Sequence, residues 1–272
     1  MTKVDYICSR TRTTPVVAGN LPESVWGKVP KSPRFVDMVT GDPAIFDTRA
    51  AALWDNDNLY IAFWVEEPFV EAHLTERDSL IFMENDVEVF IDGGDCYYEL
   101  EINALNTLYE VFFIWQDAYQ HGSKFDVPEF DLIERGALSF GGNYDRSGWN
   151  FWRGTHPRGV RWAFTDWDFP GLRTAVHVDG TLNNRAVVDK GWKVELAFPW
   201  TGMKWLANGR SLPPQEGDVW SIFFGRFEKL EVANTRPEPQ PAWCWNKHDT
   251  LDTHLPEKFT RVQFTNQYVE DV

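Results

Sequence analysis

The 272-residue sequence is poor in cysteine, in basic residues and in long apolar runs. Its three cysteines, Cys8, Cys96 and Cys244, cannot build a disulfide framework, and no two share metal-ligand spacing. The 26 Lys and Arg residues stand against 41 Asp and Glu residues, and the net charge of −15 disfavours nucleic acid as a partner. The longest apolar runs reach about seven residues, whereas a membrane helix needs roughly twenty, so the sequence predicts no membrane span.

The first twelve residues are polar and lack the charged-then-apolar order of a secretory leader. The expectation is a cytoplasmic protein if the chain is complete, and an extracytoplasmic one if a leader was removed before numbering. The sequence carries no signature of an oligomeric state.

Aromatic residues are abundant, at 15% of the chain, and include 14 tryptophans. Such rings usually fill a core, but exposed tryptophan and tyrosine also bind the flat faces of sugars and other apolar ligand surfaces. With 43% apolar and 25% charged residues, the composition is that of an ordinary globular domain. These numbers favour a ligand-binding globular protein.

Short strand patterns separated by turns dominate the chain, and helical periodicity is scarce. The predicted strands are 51–54, 59–65, 86–92, 97–103, 107–115, 191–198, 218–227 and 259–264. The turns between them carry Asn, Asp and Gly, which tolerate turn backbone conformations. The prediction is an all-β fold, an antiparallel β-sandwich that forms a single domain over residues 1–272.

The segment 119–175 breaks the strand pattern, because it is rich in Gly, Pro, Asp and Arg. It also holds four tryptophans within nineteen residues, Trp149, Trp152, Trp162 and Trp167. Rings at that density need burial or a ligand, which argues against disorder. We therefore expect an ordered, Trp-rich loop insertion packed over one end of the sandwich.

A set of landmarks in chain order resembles family 9 carbohydrate-binding modules. They are 19–26 (GNLPESVW), 53–55 (LWD), 86–92 (DVEVFID), 101–103 (EIN), 192–195 (WKVE) and 254–259 (HLPEKF). The resemblance implies a β-sandwich related to the DOMON-like fold. It also implies a carbohydrate ligand held by aromatic stacking and side-chain hydrogen bonds, and sometimes a structural calcium ion.

The resemblance also implies positions for the binding site. Glu88, Asn103 and Arg226 fall where family members carry polar contacts, and Glu101 stands where a basic residue is usual. Glu88 and Asn103 are out of phase with the neighbouring apolar residues, so both are expected to point away from the core. We expect these groups to converge on one pocket at the concave sheet face, with Arg226 paired to Glu88 or Glu101.

The family's paired tryptophan clamp is replaced in this sequence, where Met83 and Thr253 hold its positions. Other rings must therefore stack on the sugar. The candidates are Trp115, Trp149, Trp152, Trp243 and Trp245, and His254 is a further candidate contact. Trp245 and the tryptophans of the insertion are expected to roof the pocket.

The principal hypothesis is a non-catalytic protein that recognises a mono- or oligosaccharide. The alternative is a carbohydrate-active enzyme, a glycoside hydrolase or lyase that uses strand carboxylates such as Glu88 and Glu101. Glycoside hydrolysis needs two carboxylates about 5 to 10 Å apart across the scissile bond. A polar strand face produces such pairs without any catalytic role, so the sequence leaves both hypotheses open.

Two oxygen-rich turns are candidate calcium sites. Asp55 and Asp57 lie in one turn, and Asp92 and Asp95 lie in the other. Calcium binds six to eight hard oxygen ligands, which such clusters supply. The alternative for each cluster is an ordinary turn in which the aspartate accepts backbone hydrogen bonds. Haem is the remaining alternative, since related sandwiches can hold it with Met and His or Lys as axial ligands and Met83 stands at a family site position.

Overall fold

The computed structural model of the protein describes residues 3–141, 156–231 and 240–271. It contains fourteen strands and a single short α-helix within these ranges. The strands are β1 (Tyr6–Arg10), β2 (Val36–Asp37), β3 (Thr48–Trp54), β4 (Asn58–Glu66), β5 (Asp86–Asp92), β6 (Cys96–Ile102), β7 (Leu108–Trp115), β8 (Leu138–Phe140), β9 (Arg161–Phe164), β10 (Arg173–Asp179), β11 (Gly191–Pro199), β12 (Val219–Phe227), β13 (Ala242–Cys244) and β14 (Thr260–Tyr268). The helix is α1 (Glu23–Trp26), and short 3-10 turns cover Ile81–Met83, Pro128–Phe130, Trp200–Met203, Pro256–Lys258 and Val269–Asp271.

The strands form one continuous hydrogen-bonded order, β10-β11-β4-β3-β1-β14-β12-β5-β6-β7-β9-β8, and β13 pairs with both β12 and β2. The part from β10 to β3 is called the first half-sheet here, and the part from β12 to β8 the second. Most pairs are antiparallel, but β1 runs parallel to both β14 and β3. The sheet is therefore mixed at this junction, where a purely antiparallel arrangement was expected.

The main hydrophobic core lies between the two half-sheets. Alternation places Val87 and Val89 of β5 in this core, together with Phe63 of β4. Aromatic contacts join the halves, since Phe63 lies 6.1 Å from Phe224 and Tyr98 lies 6.3 Å from Phe198 between ring centroids. Two faces of sheet that bury a shared core are the arrangement of a β-sandwich. The predicted fold class is confirmed.

The N-terminal segment covers the outer side of the first half-sheet. Trp26 of α1 donates its indole N–H to Glu195 Oε1 at 2.9 Å. The other oxygen of Glu195 accepts the backbone N–H groups of Ala18 and Gly19 at 3.0 and 3.2 Å. Because every oxygen of this buried carboxylate is used, the pairing fixes the segment against β11.

The segment expected to be a loop insertion, 119–175, contains regular structure. It includes β8, β9 and the beginning of β10, and β9 pairs with β7 to extend the second half-sheet. Trp167 is buried against Phe112, at 4.7 Å between ring centroids. β8 and β9 are only three and four residues long, which is too short to show an alternation, so the sequence pattern missed them. Among the described residues, no helix is long and apolar enough to span a membrane.

Candidate functional site

The outer side of β12, β5, β6 and β7 carries Glu88 and Glu101, two of the polar residues that the sequence singled out. Strand register places Glu88 opposite both Gly225 and Glu101, which makes one row across this face. In the next row, Phe90 of β5 lies opposite Glu99 of β6. We call this outer side of β12, β5, β6 and β7 the carboxylate face. Glutamates lie at one end of the carboxylate face, and aromatic residues lie further along the strands.

Three carboxylates meet at this end of the carboxylate face. One oxygen from each of Asp86, Glu88 and Glu101 lies within 4.8 Å of the others. These three residues, called the carboxylate cluster below, are at most 2% exposed. Burial raises the pKa of each member, and the charges of neighbouring carboxylates, Glu99 among them, raise those of Glu88 and Glu101 further. Phe82 of the adjacent 3-10 turn donates its backbone N–H to Glu101 Oε2 at 2.8 Å.

Asn103 shares the outer side with Glu101 but has a structural role. Its side-chain oxygen accepts the backbone N–H groups of Leu105 and Thr107 at 3.0 and 2.9 Å. Its amide nitrogen donates to the Leu74 carbonyl at 2.9 Å and to Glu84 at 2.6 Å. An asparagine side chain makes about four hydrogen bonds, so Asn103 has no capacity left for a ligand in this arrangement.

Arg226 points to the opposite side of the sheet, so the predicted convergence with Glu88 is wrong. Register pairs Arg226 with Val87, a core residue, whereas Glu88 faces outward with Gly225. Neighbouring residues on a strand face opposite sides, and this one-residue offset was not accounted for in the sequence pattern. The guanidinium is fully buried and bonds Glu228 Oε2 at 2.6 Å, with Glu67 Oε2 at 3.7 Å.

The predicted ring platforms are buried where the structure describes them. Trp243 lies under the Arg226 guanidinium at 5.0 Å, and Trp245 packs in the core against Tyr6. Trp115 is 2% exposed and is covered by Arg161, at 4.8 Å from its ring centroid. The expected roof over the carboxylate face is therefore wrong for Trp245. Trp149 and Trp152 lie outside the described residues.

His254 lies over the aromatic rows of the carboxylate face. Its ring centroid is 4.4 Å from that of Phe140, and its Nδ1 is 3.1 Å from the Tyr97 hydroxyl. Burial, and then the positive charge of Arg161, lower the pKa of His254 well below its usual value. A neutral, buried imidazole packed among rings fits a structural role, and the expected ligand contact stays a prediction. Thr253 is also buried.

The two turns suggested for calcium do not fit the ion. Asp55 uses Oδ1 for the backbone N–H groups of Asp57 and Asn58, both at 2.8 Å, and Oδ2 for the Tyr60 hydroxyl. In the other turn, Asp92 accepts the N–H of Gly94 at 2.8 Å, and Asp95 makes an ion pair with Arg158 at 2.7 Å. Both oxygens of Asp55 and Oδ1 of Asp92 are therefore used by hydrogen bonds within their turns, and Asp95 is paired with a cation of the protein itself. An acidic group able to hold a metal exists elsewhere, in the carboxylate cluster.

A pocket of about 270 Å³ opens on the outer side of the first half-sheet. Register aligns Arg49, Trp64 and Lys193 across β3, β4 and β11, and Trp64 is half-buried at the pocket wall. Lys31 lies 3.9 Å from the Trp64 ring centroid, and Asp179 pairs with Lys193 at 2.7 Å. This surface is called the Trp64 pocket below. It combines an indole with nearby donors and acceptors.

Sequence reasoning missed Trp64, although the signal was present. In the strand 59–65, Leu59, Ile61, Phe63 and Val65 alternate inward, which leaves Trp64 on the outer side. Asp86 was missed in the same way, because it stands two residues before Glu88 and therefore shares its face.

Comparison with known proteins agrees with this architecture. Residues 17–125 match the family model described as carbohydrate family 9 binding domain-like. A carbohydrate binding module family 9 from Caldicellulosiruptor kristjanssonii in complex with cellotriose superposes with a TM-score of 0.51 at 12% identity, over 98% of this chain and 97% of that one. A putative carbohydrate-binding protein from Bacteroides uniformis ATCC 8492 gives a TM-score of 0.56 at 12% identity, over 96% and 99%. No curated protein sequence matches significantly.

At 12% identity the two solved structures establish the fold alone. The class is a β-sandwich of the kind found in carbohydrate-binding modules. With the match over residues 17–125, the resemblance to family 9 carbohydrate-binding modules is confirmed.

Proposed function

We propose that this protein binds carbohydrate, recognising a mono- or oligosaccharide by aromatic stacking and polar contacts. The observation that carries the proposal is the match of residues 17–125 to the family 9 binding-domain model. A structure of the same fold is described in complex with cellotriose, which makes glucose and short β-linked gluco-oligosaccharides the first ligands to test. The formal charge of −15 disfavours nucleic acid as a competing partner.

We propose the Trp64 pocket as the place of binding. Sugar recognition needs an aromatic plane for the C–H face of the ring, with donors and acceptors around it for the hydroxyl groups. Trp64 supplies the plane, one face of which Lys31 overlies at 3.9 Å. Arg49 and Lys193, which pair with Asp47 and Asp179, carry the donors at the pocket wall. Glu66, which accepts the Asp47 N–H, carries the acceptor. By contrast, Glu88 and Asn103 are buried, and Asn103 is already saturated with hydrogen bonds.

Isothermal titration calorimetry with glucose, cellobiose and cellotriose tests the function directly. The expected result is saturable binding by wild type, and a loss of about tenfold or more in affinity for Trp64→Ala, equivalent to about 1.4 kcal/mol or more. Trp205→Ala is the matched control. Trp205 is also half-buried and also lies under a lysine, Lys204 at 4.5 Å, but it does not line the Trp64 pocket.

The outcomes separate the function from its location. Binding that survives Trp64→Ala unchanged would keep the function and reject the Trp64 pocket. An absence of binding to a broad glycan array, by a protein shown to be folded, would reject the function itself.

The enzyme alternative receives no support from Glu88 and Glu101. A glycosidase places its two carboxyl groups on either side of the scissile bond, about 5 to 10 Å apart. Here the two carboxylates approach within 4.8 Å and are each 2% exposed, so a substrate has no path between them in this arrangement. Product analysis by mass spectrometry after incubation with diverse glycosides checks for turnover.

A further inference from the structure

The geometry of the carboxylate cluster is that of ligands converging on one point. Glu88 and Glu101 are directly opposite each other on β5 and β6, and Asp86 precedes Glu88 by two residues on the same side. One oxygen from each lies within 4.8 Å of the others. Calcium–oxygen distances are about 2.3 to 2.6 Å, so two oxygens on opposite sides of the ion are about 4.8 Å apart. The strand register therefore brings three carboxylate oxygens within reach of a single divalent ion.

The charge of the carboxylate cluster is unbalanced. Within the described ranges, no Lys, Arg or His makes an ion pair with Asp86, Glu88 or Glu101, although all three are at most 2% exposed. The positive charge of Lys229 acts on Asp86 from a greater distance, and one such charge does not balance three carboxylates. A fourth glutamate, Glu99, is 4% exposed and lies beside Glu101. Buried carboxylates that lack a cation are strongly unfavourable, so the cluster needs a positive ion or bound protons.

Several oxygens here have no partner, which is an independent sign of a missing ligand. Asp86 Oδ2, Glu88 Oε2 and Glu99 Oε2 are buried without any hydrogen bond. Native structures leave few such atoms, and each requires an explanation.

A buried glutamate elsewhere in the same fold gives the contrast. Glu110 is also fully buried, but its Oε1 accepts the Tyr98 hydroxyl at 2.5 Å and the Phe169 N–H at 2.9 Å, and its Oε2 pairs with Arg77. The fold can therefore satisfy a buried carboxylate fully with its own groups. At the carboxylate cluster it does so only in part, through the backbone N–H groups of Phe82 and Phe227, and leaves Asp86 Oδ2 and Glu88 Oε2 without a hydrogen bond.

We propose that Asp86, Glu88 and Glu101 bind one divalent cation that prefers hard oxygen ligands, with calcium as the expected ion. Three carboxylates supply part of a calcium coordination shell of six to eight oxygens, and water can supply the rest. The 3-10 turn Ile81–Met83 lies next to the cluster, where Phe82 bonds Glu101 and Met83 is 60% exposed, so little protein separates the site from solvent. The proposal stands on its own observations and does not depend on sugar binding.

The experiment uses the full chain, stripped with EDTA and then titrated with CaCl₂. We expect native mass spectrometry to count one bound calcium ion, and the melting temperature to rise by about 5 °C or more at one hundred times the Kd. Magnesium and manganese are titrated in parallel to identify the preferred ion. The rise should be lost in Glu88→Gln and in Glu101→Gln, because an amide removes a charged ligand at nearly the same volume.

Asp92→Asn is the matched control, since Asp92 lies on the same strand but outside the cluster, and it should keep the full rise. The proposal is overturned if wild type takes up none of the three metals, which leaves protons to neutralise the cluster. A rise that persists in both glutamine variants, or disappears only in Asp92→Asn, also overturns it. If a glutamine variant does not fold, the ion count on wild type and the behaviour of Asp86→Asn decide the question.

Discussion

Two buried charge clusters lie back to back across the same pair of strands, and they differ in how their charge is balanced. Val87 pairs with Arg226 on the core side, while the next residue, Glu88, pairs with Gly225 on the outer side. The core-side cluster holds Arg226, Glu67 and Glu228, so a guanidinium faces two carboxylates. The outer cluster holds three carboxylates, and among the described residues no cationic side chain makes an ion pair with them, although the charge of Lys229 acts on Asp86 from further away.

The comparison shows that burial alone does not decide the state of a carboxylate. Arg226 also donates to the Thr48 hydroxyl and to the Glu66 carbonyl, both at 2.9 Å, so its charge is held by several hydrogen bonds. This network satisfies most of the guanidinium within the chain, and only Nε of Arg226 lacks a hydrogen-bond partner. The outer cluster is complete only with a ligand from outside, whether a metal ion or protons.

The largest loss of stability should come from removing Arg226, the cation of the core-side cluster. Arg226→Met should lower the free energy of unfolding by about 3 to 5 kcal/mol, because Glu67 and Glu228 are left buried without their partner. Denaturant unfolding monitored by tryptophan fluorescence measures the change. The triple variant Arg226→Met, Glu67→Gln, Glu228→Gln should recover most of the loss, since the uncompensated charges are gone. An Arg226→Met protein as stable as wild type would show that the ion pair contributes nothing.

A smaller effect is expected in the pH dependence of the free energy of unfolding, measured in EDTA, because Glu99 lies buried on the carboxylate face. Burial raises the pKa of Glu99 to about 7, against a hydrogen bond to Glu101 and the charge of Arg161, which lower it. For an acid whose folded pKa is raised, the unfolded state releases its proton first as pH rises. Glu99 therefore makes its full contribution to stability below about pH 4.5, and this contribution is lost as the pH rises through about 7.

Glu99→Gln should make the fall of stability between pH 5 and about 7 shallower, by at least about 1 kcal/mol across that range. Glu129→Gln is the control. Burial raises the pKa of Glu129, but hydrogen bonds from Lys204, Trp167 and Trp205 outweigh it and leave the pKa lowered, so this group is ionised throughout. Chemical denaturation at a series of pH values measures both variants, and equal slopes for wild type and Glu99→Gln would contradict the expectation.

The fold was largely predictable from the sequence, because alternation and turn residues are local signals. The hairpin of β3 and β4 follows from the Asp55 turn, and β5 and β6 from alternating apolar residues around two glycines. The parallel pairing of β1 with β14 was not predictable, because it joins residues more than 250 positions apart. The short strands β8 and β9, of three and four residues, have too few residues to show a period.

The candidate site was predictable only in part. Residue type and phase placed Glu88 and Glu101 together on the outer side, and the register agrees. Arg226 was assigned to that side from its position in the family resemblance alone. Alternation could not correct this, because β12 is apolar on both sides, with Phe223 in one cluster and Phe224 in the other. Nor does composition reveal which tryptophans are exposed. Trp115 and Trp243 are core residues, and Trp64 reaches the surface only because β4 presents its outer side there.

The smallest expected loss of stability comes from Arg185, which lies at the protein surface near the core-side cluster. Arg185 is 43% exposed in its side chain and pairs with Glu71, whose backbone N–H donates to Glu67 at 3.2 Å. Because water screens this exposed pair, Arg185→Ala should cost less than about 1 kcal/mol, and the cost should shrink in 0.5 M salt. Denaturant unfolding at two salt concentrations measures it. A loss near that of Arg226→Met would mean that the buried network of Arg226 extends through Glu71 to the surface. The core-side cluster would then not be satisfied by buried groups alone, and its contrast with the carboxylate cluster would not hold.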